Sequence, residues 1–268
     1  MSFKTTSALL RGAWLISPEF AKAHLPMVQN LLSGKLDGFE FSENKESQVL
    51  AVNSFKADRT WSDFNDAPKG SLAVIPVNGP ILKHNNCGDP GSMTRANQVA
   101  AADTHPNIDA IIFDIDSPGG MVGGTQTFAD AIKSAKKPTI AIVNDGMSAS
   151  AAYWLASQCD EIYVTRKTDS VGSIGVYLTL VDPTKAYEDK GFAIHEIYAP
   201  ESTEKNLDYK AAKEGNYKPM EAQLSFLAQT FIGAVKEGRG DKLNLSAGDP
   251  FKGKMYFAEE ALAIGLID

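Results

Sequence analysis

Two loops carry residue types suited to acyl chemistry. The first reads Asp116-Ser-Pro-Gly-Gly-Met-Val-Gly-Gly124. Its glycine pairs let the backbone come close to a ligand or another chain, and N–H groups exposed in such a turn can hold an oxyanion. The second is Asn144-Asp-Gly-Met-Ser-Ala-Ser150, running into Ala151-Ala-Tyr-Trp-Leu155. A serine that opens a helix can simply cap it, and Ser148 and Ser150 both suit that role. The same place suits a nucleophile. The N–H of Ala151 then faces the developing oxyanion at the positive end of the helix dipole, and Ala149, Ala151 and Ala152 leave room for a peptide. Taken singly, each loop also fits a plain strand-to-helix turn. Taken together on adjacent strands, they supply a nucleophile and two oxyanion donors. Neither GxxxxGK[ST] nor GxGxxG occurs in the first loop, so a phosphate cradle is not indicated.

Such loops act only if a sheet holds them, and the chain provides one from Ser71 onward. Leu72–Asn78, Ile108–Ile115, Thr139–Val143, Glu161–Thr165, Gly175–Val181 and Ala193–Tyr198 read as strands. Helices are expected over Met93–Thr104, Thr125–Ala135, Ala149–Gln158, Thr184–Lys190 and Pro219–Lys236. Strands separated by helices imply right-handed crossovers and a mainly parallel α/β sheet, with sites at the carboxyl ends of the strands. Tyr153 and Trp154 read as core packing behind the serine, and Phe226, Leu227, Phe231 and Val235 as core or subunit interface. Residues 1–68 differ in character, with Met27, Leu31 and Leu32 at helical spacing before a polar stretch. They are taken as an N-terminal extension, an interaction arm or a helix covering the core, and Asp66–Gly70 closes them with a turn cluster.

The 268 residues suit one or two domains, and 43% hydrophobic with 22% charged residues suits a full core. A net charge of −7 argues against nucleic acid or an anionic membrane as partner. Cys87 and Cys159 form no CxxC, so neither a disulfide framework nor a zinc cluster is indicated. No apolar run is long enough to span a bilayer, and the first residues make no convincing signal peptide, so a cytoplasmic protein without a membrane anchor is expected.

Asp116-Ser-Pro-Gly-Gly120 and Ser148-Ala-Ser-Ala-Ala-Tyr-Trp154 resemble loops of the S49 peptidases, the signal peptide peptidase A type of the ClpP/crotonase superfamily. Thr168-Asp-Ser-Val-Gly-Ser-Ile-Gly-Val176 resembles the family's T-G-S-I-G-V segment, and Ala258–Asp268 its A-x-x-x-G-L-x-D close. The resemblance covers residues 71–268 in order and is nearest the short phage and prophage capsid-protease type; a peptidase domain is accordingly set at 69–268. It implies an α/β ClpP/crotonase-like β-superhelix of ββα units in place of a simple wound sheet. It further implies a ring-like homo-oligomer and a serine endopeptidase that needs no metal or cofactor and acts on a peptide or protein substrate.

By the same resemblance Ser150 is the nucleophile of a Ser/Lys dyad, and Gly119, Gly120 and Ala151 surround the oxyanion. Relatives often have Gly-Gly where this chain has Ala151-Ala152, a mild departure since a helix start does not need positive φ. The family's base follows a strand about fifty residues after the serine, in a Gly-x-x-Lys context. Lys205 is the best match, although that glycine is missing, and Lys210 and Lys213 remain open. A lysine acts as base only when neutral, and lowering its pKa by two to three units takes roughly 3–4 kcal/mol of desolvation. Glu201 and Glu204, near in sequence, oppose such a shift.

ClpP itself uses a histidine a couple of dozen residues after its serine, and here none lies between His105 and His195. His195 reads as a core or edge residue, His24, His84 and His105 as surface residues, and Asp114 with Asp116 as a sheet-end residue and a turn acceptor. The alternative reading is a non-catalytic scaffold or interaction member of the superfamily, with residues 1–68 binding a partner. A crotonase-type acyl-CoA enzyme shares the oxyanion logic but not the combination of Ser150 with S-P-G-G and G-S-I-G.

Overall fold

The computed structural model describes residues 67–86, 89–180, 182 and 184–268, with Phe64 and the backbone of short strands at 14–16, 49–52 and 60–61. Cys87, His24 and the helical spacing at Met27, Leu31 and Leu32 lie outside the described residues. The strands are β1 (Trp14–Ile16), β2 (Val49–Val52), β3 (Thr60–Trp61), β4 (Ser71–Asn78), β5 (Ile108–Ser117), β6 (Gly119–Met121), β7 (Thr139–Ala149), β8 (Glu161–Val164), β9 (Ser170–Gly172) and β10 (Met255–Phe257). The helices are α1 (Ser92–Thr104), α2 (Thr125–Lys133), α3 (Ala151–Ala156), α4 (Thr184–Glu188), α5 (Leu207–Lys213), α6 (Lys218–Arg239) and α7 (Ala258–Ile264).

The main sheet runs β10-β9-β7-β5-β4-β2-β3 and is parallel from β4 through β5 to β7. Alternating side chains drive the core: Ala73, Ile75 and Val77 of β4 and Ile111, Phe113 and Ile115 of β5 point inward and are buried. β7 is long enough to change partner midway. Its first half pairs with β8 and its second half, Met147–Ala149, with β9, both in parallel. That change turns the sheet at the end where the serine loop emerges. The order β5-β6-α2 is a ββα unit, and the architecture is the ClpP/crotonase-like α/β class that the motifs imply.

α3 is buried along its whole length, which explains its small residues. Trp154 stacks on Phe231 of α6 at 5.0 Å between ring centroids, a pairing worth about 1 kcal/mol beyond area burial. Gly238 lies inside α6 because a β-carbon there would collide with Ser157 O. Phe231 and Val235 form the buried stripe of α6, while Phe226 stands 72% exposed. Among the described residues no helix is long and apolar enough to cross a membrane.

The Ala258–Asp268 stretch works as a clasp. The buried Arg239 guanidinium donates to Asp268 through Nη1 (2.8 Å) and Nη2 (3.2 Å) and through Nε to Gly265 O (2.9 Å). Ile162 N–H donates to the same carboxylate, and Tyr153 Oη donates to Leu266 O, tying the clasp to β8 and α3. Burial opposes ionisation of Asp268, but hydrogen bonds from Arg239, Lys242 and Ile162 outweigh it and hold its pKa at about 2. A depressed carboxylate stabilises the fold above its unfolded value of 3.8, and that contribution is lost as pH falls toward 2. Asp268→Asn is therefore expected to cost about 2–3 kcal/mol at pH 7, since it leaves the buried Arg239 charge without its counter-ion. The deficit should shrink as pH falls from 4 to 2; urea titrations of both chains at pH 7 and pH 3 measure it.

Two expectations are corrected. Gly175–Val181 and Ala193–Tyr198 do not form strands among their described residues. Both carry the alternation of strands, but among the described residues neither extends into a paired strand, Tyr177 making only a single bridge. Most of their apolar side chains stand in the open, with Ile194 49% and Ile197 92% exposed. His195, read as core or edge, is exposed in the same run.

Candidate active site

β5 and β7 lie side by side with Ser117 in register with Ser148, so the two loops leave the sheet at the same end. Ser117 fixes the first loop. Its hydroxyl donates to Gly79 O (2.7 Å) and accepts from Gly119 N–H (3.2 Å). The Gly119 N–H is thereby engaged, whereas Gly120 keeps its own N–H on the other edge of β6. Ile81 takes the near edge: Ile81 N–H donates to Gly119 O (2.8 Å) and Met121 N–H to Ile81 O (2.9 Å). A β-carbon on Gly120 would collide with the Ile81 carbonyl, so position 120 excludes every other residue at this spacing.

The second loop ends at Ser150, the residue before α3, with φ 55° and ψ −118°. This is a left-handed conformation that a non-glycine residue adopts at a cost of about 1–3 kcal/mol. Ser150 N–H donates to Gly172 O (2.8 Å), and Ser150 O accepts the first helical bond from Trp154 N–H (2.9 Å). The turn thus places the serine at the sharp junction of strand and helix, and Ala151 N–H, in the first turn, has no intrahelical acceptor. α3 packs against Gly119–Met121, which brings the serine loop and the glycine loop together. Ser150 itself is only 1% exposed. Ser148 Oγ is buried and makes no hydrogen bond among the described residues, and no side chain caps α3.

Two carboxylates hold the loops, and only one of them was singled out in the sequence. Asp116 Oδ1 accepts from Met147 N–H at 3.2 Å, the turn-acceptor role expected of it. Asp114 has its pKa raised by burial and by neighbouring Asp116. Asp169, not anticipated, is buried and accepts from Gly146 N–H (2.9 Å), Thr165 N–H (2.9 Å) and Arg166 N–H (2.8 Å). It lies inside the T-D-S-V-G-S-I-G-V segment, whose Gly172 carbonyl receives Ser150 N–H. That motif was the available signal.

Lys205 is exposed in the turn before α5, and no hydrogen bond or ion pair joins Lys205, Lys210 or Lys213 to Ser150 among the described residues. Lys210 Nζ sits over the Tyr198 ring at 3.7 Å from its centroid, and Lys213 Nζ pairs with Glu196 at 3.9 Å. The chain brings together Ser150, Gly119, Gly120 and Ala151.

Comparison with known proteins agrees with this geometry. Residues 131–268 match Peptidase family S49, and residues 81–166 match the Clp protease family. The chain is 28% identical to capsid assembly protease C of Escherichia phage lambda over 88% of its own length and 56% of that protein's. It is 27% identical to protease 4 of Salmonella typhi, covering 74% of this chain and 32% of that protein. It is 28% identical to head-tail preconnector protein GP5 of Enterobacteria phage P21, covering 74% and 40% respectively. The chain thus spans about half the length of these relatives or less. With a match over more than half of its residues, running from within α2 through the Ser150 turn to the Asp268 clasp, the chain belongs to peptidase family S49.

Proposed function

We propose that the chain is a serine endopeptidase in which Ser150 is the nucleophile and Lys205 the base. The observation that carries this reading is the strained left-handed backbone of Ser150 at the strand–helix junction, beside the Gly119–Gly120 turn. Strain of this kind persists where the surroundings enforce it, and here it aims a hydroxyl out of the sheet end. Neutral lysine takes the proton of Ser150 Oγ as that oxygen attacks the scissile carbonyl carbon. The carbonyl π pair becomes the oxyanion, held by the N–H groups of Gly120 and Ala151. Collapse expels the leaving amine, which receives the proton from the lysine, and water repeats the sequence on the acyl-enzyme. Gly119 shapes the turn, its own N–H being bonded to Ser117 Oγ.

Lys205 serves from a second copy of the chain in this reading. Lys210 and Lys213 have partners of their own in Tyr198 and Glu196, while Lys205 is exposed and paired with neither. The flanking runs are apolar and open at Leu178, Leu180, Phe192, Ile194 and Ile197, and a groove is bounded by Leu178, Leu180, Tyr217, Met220 and Leu224. A second copy covering this surface supplies the desolvation that a lysine base requires. Residues 69–268 form the peptidase domain and 1–68 its arm. Similarity to capsid assembly protease C favours a capsid or scaffold protein as substrate.

Mixing inactive copies tests the arrangement. Ser150→Ala and Lys205→Ala chains should each fail to cleave a fluorogenic peptide library, and co-refolded mixtures should regain part of the wild-type rate. Failure of mixtures beside an active wild type would put the dyad within one chain. An assembled wild type without turnover would favour the scaffold reading instead.

A further inference from the structure

β6 is bonded along both edges. Ile81 occupies one, taking Met121 N–H and giving its own N–H to Gly119 O. Alternation along a strand turns the N–H and C=O of Gly120 to the opposite edge. There β1 runs antiparallel, with Trp14 opposite Met121, Leu15 opposite Gly120 and Ile16 opposite Gly119. Leu15 and Gly120 are therefore the pair that exchanges both backbone bonds. The Gly120 N–H assigned above to the oxyanion meets the backbone of Leu15, on the edge where a substrate would add as an extended strand.

From this register we infer that residues 14–16 are a built-in occupant of the peptide-binding edge, a segment of the chain itself that competes with substrate. The inference rests on the reading of Gly120 and Ser150 given under Proposed function. Two features suit displacement rather than a permanent fixture. β1 pairs with β6 alone among the described residues, and an isolated two-stranded pairing of this length is marginal. Ser150, at the start of the helix that packs on β6, is buried. An occupant that must leave first lowers the fraction of competent sites and so raises KM without touching the chemical step.

The test uses the full chain. Leu15→Pro removes the N–H that Leu15 offers Gly120 O, and proline is poorly tolerated within a ladder. KM for a fluorogenic peptide is expected to fall by about tenfold with kcat unchanged. A synthetic peptide of residues 11–20, RGAWLISPEF, should then restore the wild-type KM by competition. Fluorescence anisotropy of the same peptide on Ser150→Ala and on Leu15→Pro/Ser150→Ala chains reads occupancy without any catalysis. Binding about tenfold tighter to the double variant supports the inference, and equal binding overturns it. Should no serine turnover exist at all, that comparison still decides the strand's role, so the two readings fail separately. Hydrogen exchange of the Gly120 N–H in the unaltered chain covers the case in which Leu15→Pro does not fold, since the Gly119 and Met121 N–H groups are held by Ser117 and Ile81. Protection that RGAWLISPEF neither adds to nor replaces supports an occupied edge, and fast exchange that slows only with added peptide overturns it.

Discussion

Ser150→Ala is expected to lower peptide hydrolysis by at least about 10³-fold while leaving the fold intact. The loss follows from removing the only atom that attacks, with the oxyanion donors still in place. Stability separates this from a structural defect. Alanine keeps the Cβ that makes φ 55° costly, so the unfolding free energy of Ser150→Ala should stay close to that of the wild type. Ser150→Gly removes the Cβ as well, and glycine adopts this conformation freely. That variant should be equally inactive yet about 1 kcal/mol more stable, as measured by urea titration. Two variants inactive to the same degree, one of them stabilised, are what a strained nucleophile predicts. A packing serine at the same φ would show the gain in stability without the loss of activity.

Lys205→Ala is expected to cost about 10²–10⁴-fold in kcat, the range for a lost general base, with a small change in KM. Lys210→Ala and Lys213→Ala serve as controls. They break the Tyr198 and Glu196 contacts and should change activity only modestly. A large loss at Lys210 or Lys213 with none at Lys205 would move the base along the chain while keeping the peptidase.

The elements that position the site were legible because they are periodic and long. β4, β5 and helices α1, α2 and α6 fall within a few residues of the apolar runs that announce them, whereas β7 runs past its expected end at Val143 to Ala149 and takes in nearly all of the expected serine loop. What the sequence hid was pairing. β9 and β10 are three residues each, too short for any alternation to register. Gly175–Val181 and Ala193–Tyr198 have the pattern of strands but form none among their described residues. Helix α5 has only Ala212 buried over its seven residues, so no apolar stripe marks it in the sequence. Asp169 reaches Gly146 across 23 residues, and β1 reaches β6 across about a hundred; no local spacing encodes either contact.

The most direct test of the account is the mass and position of the adduct formed by a fluorophosphonate probe on the wild-type chain. A single adduct per chain, mapped by peptide fragmentation to Ser150 and absent from Ser150→Ala, is the predicted result. An adduct on Ser148 or another serine, or none on a folded and assembled chain, would contradict it.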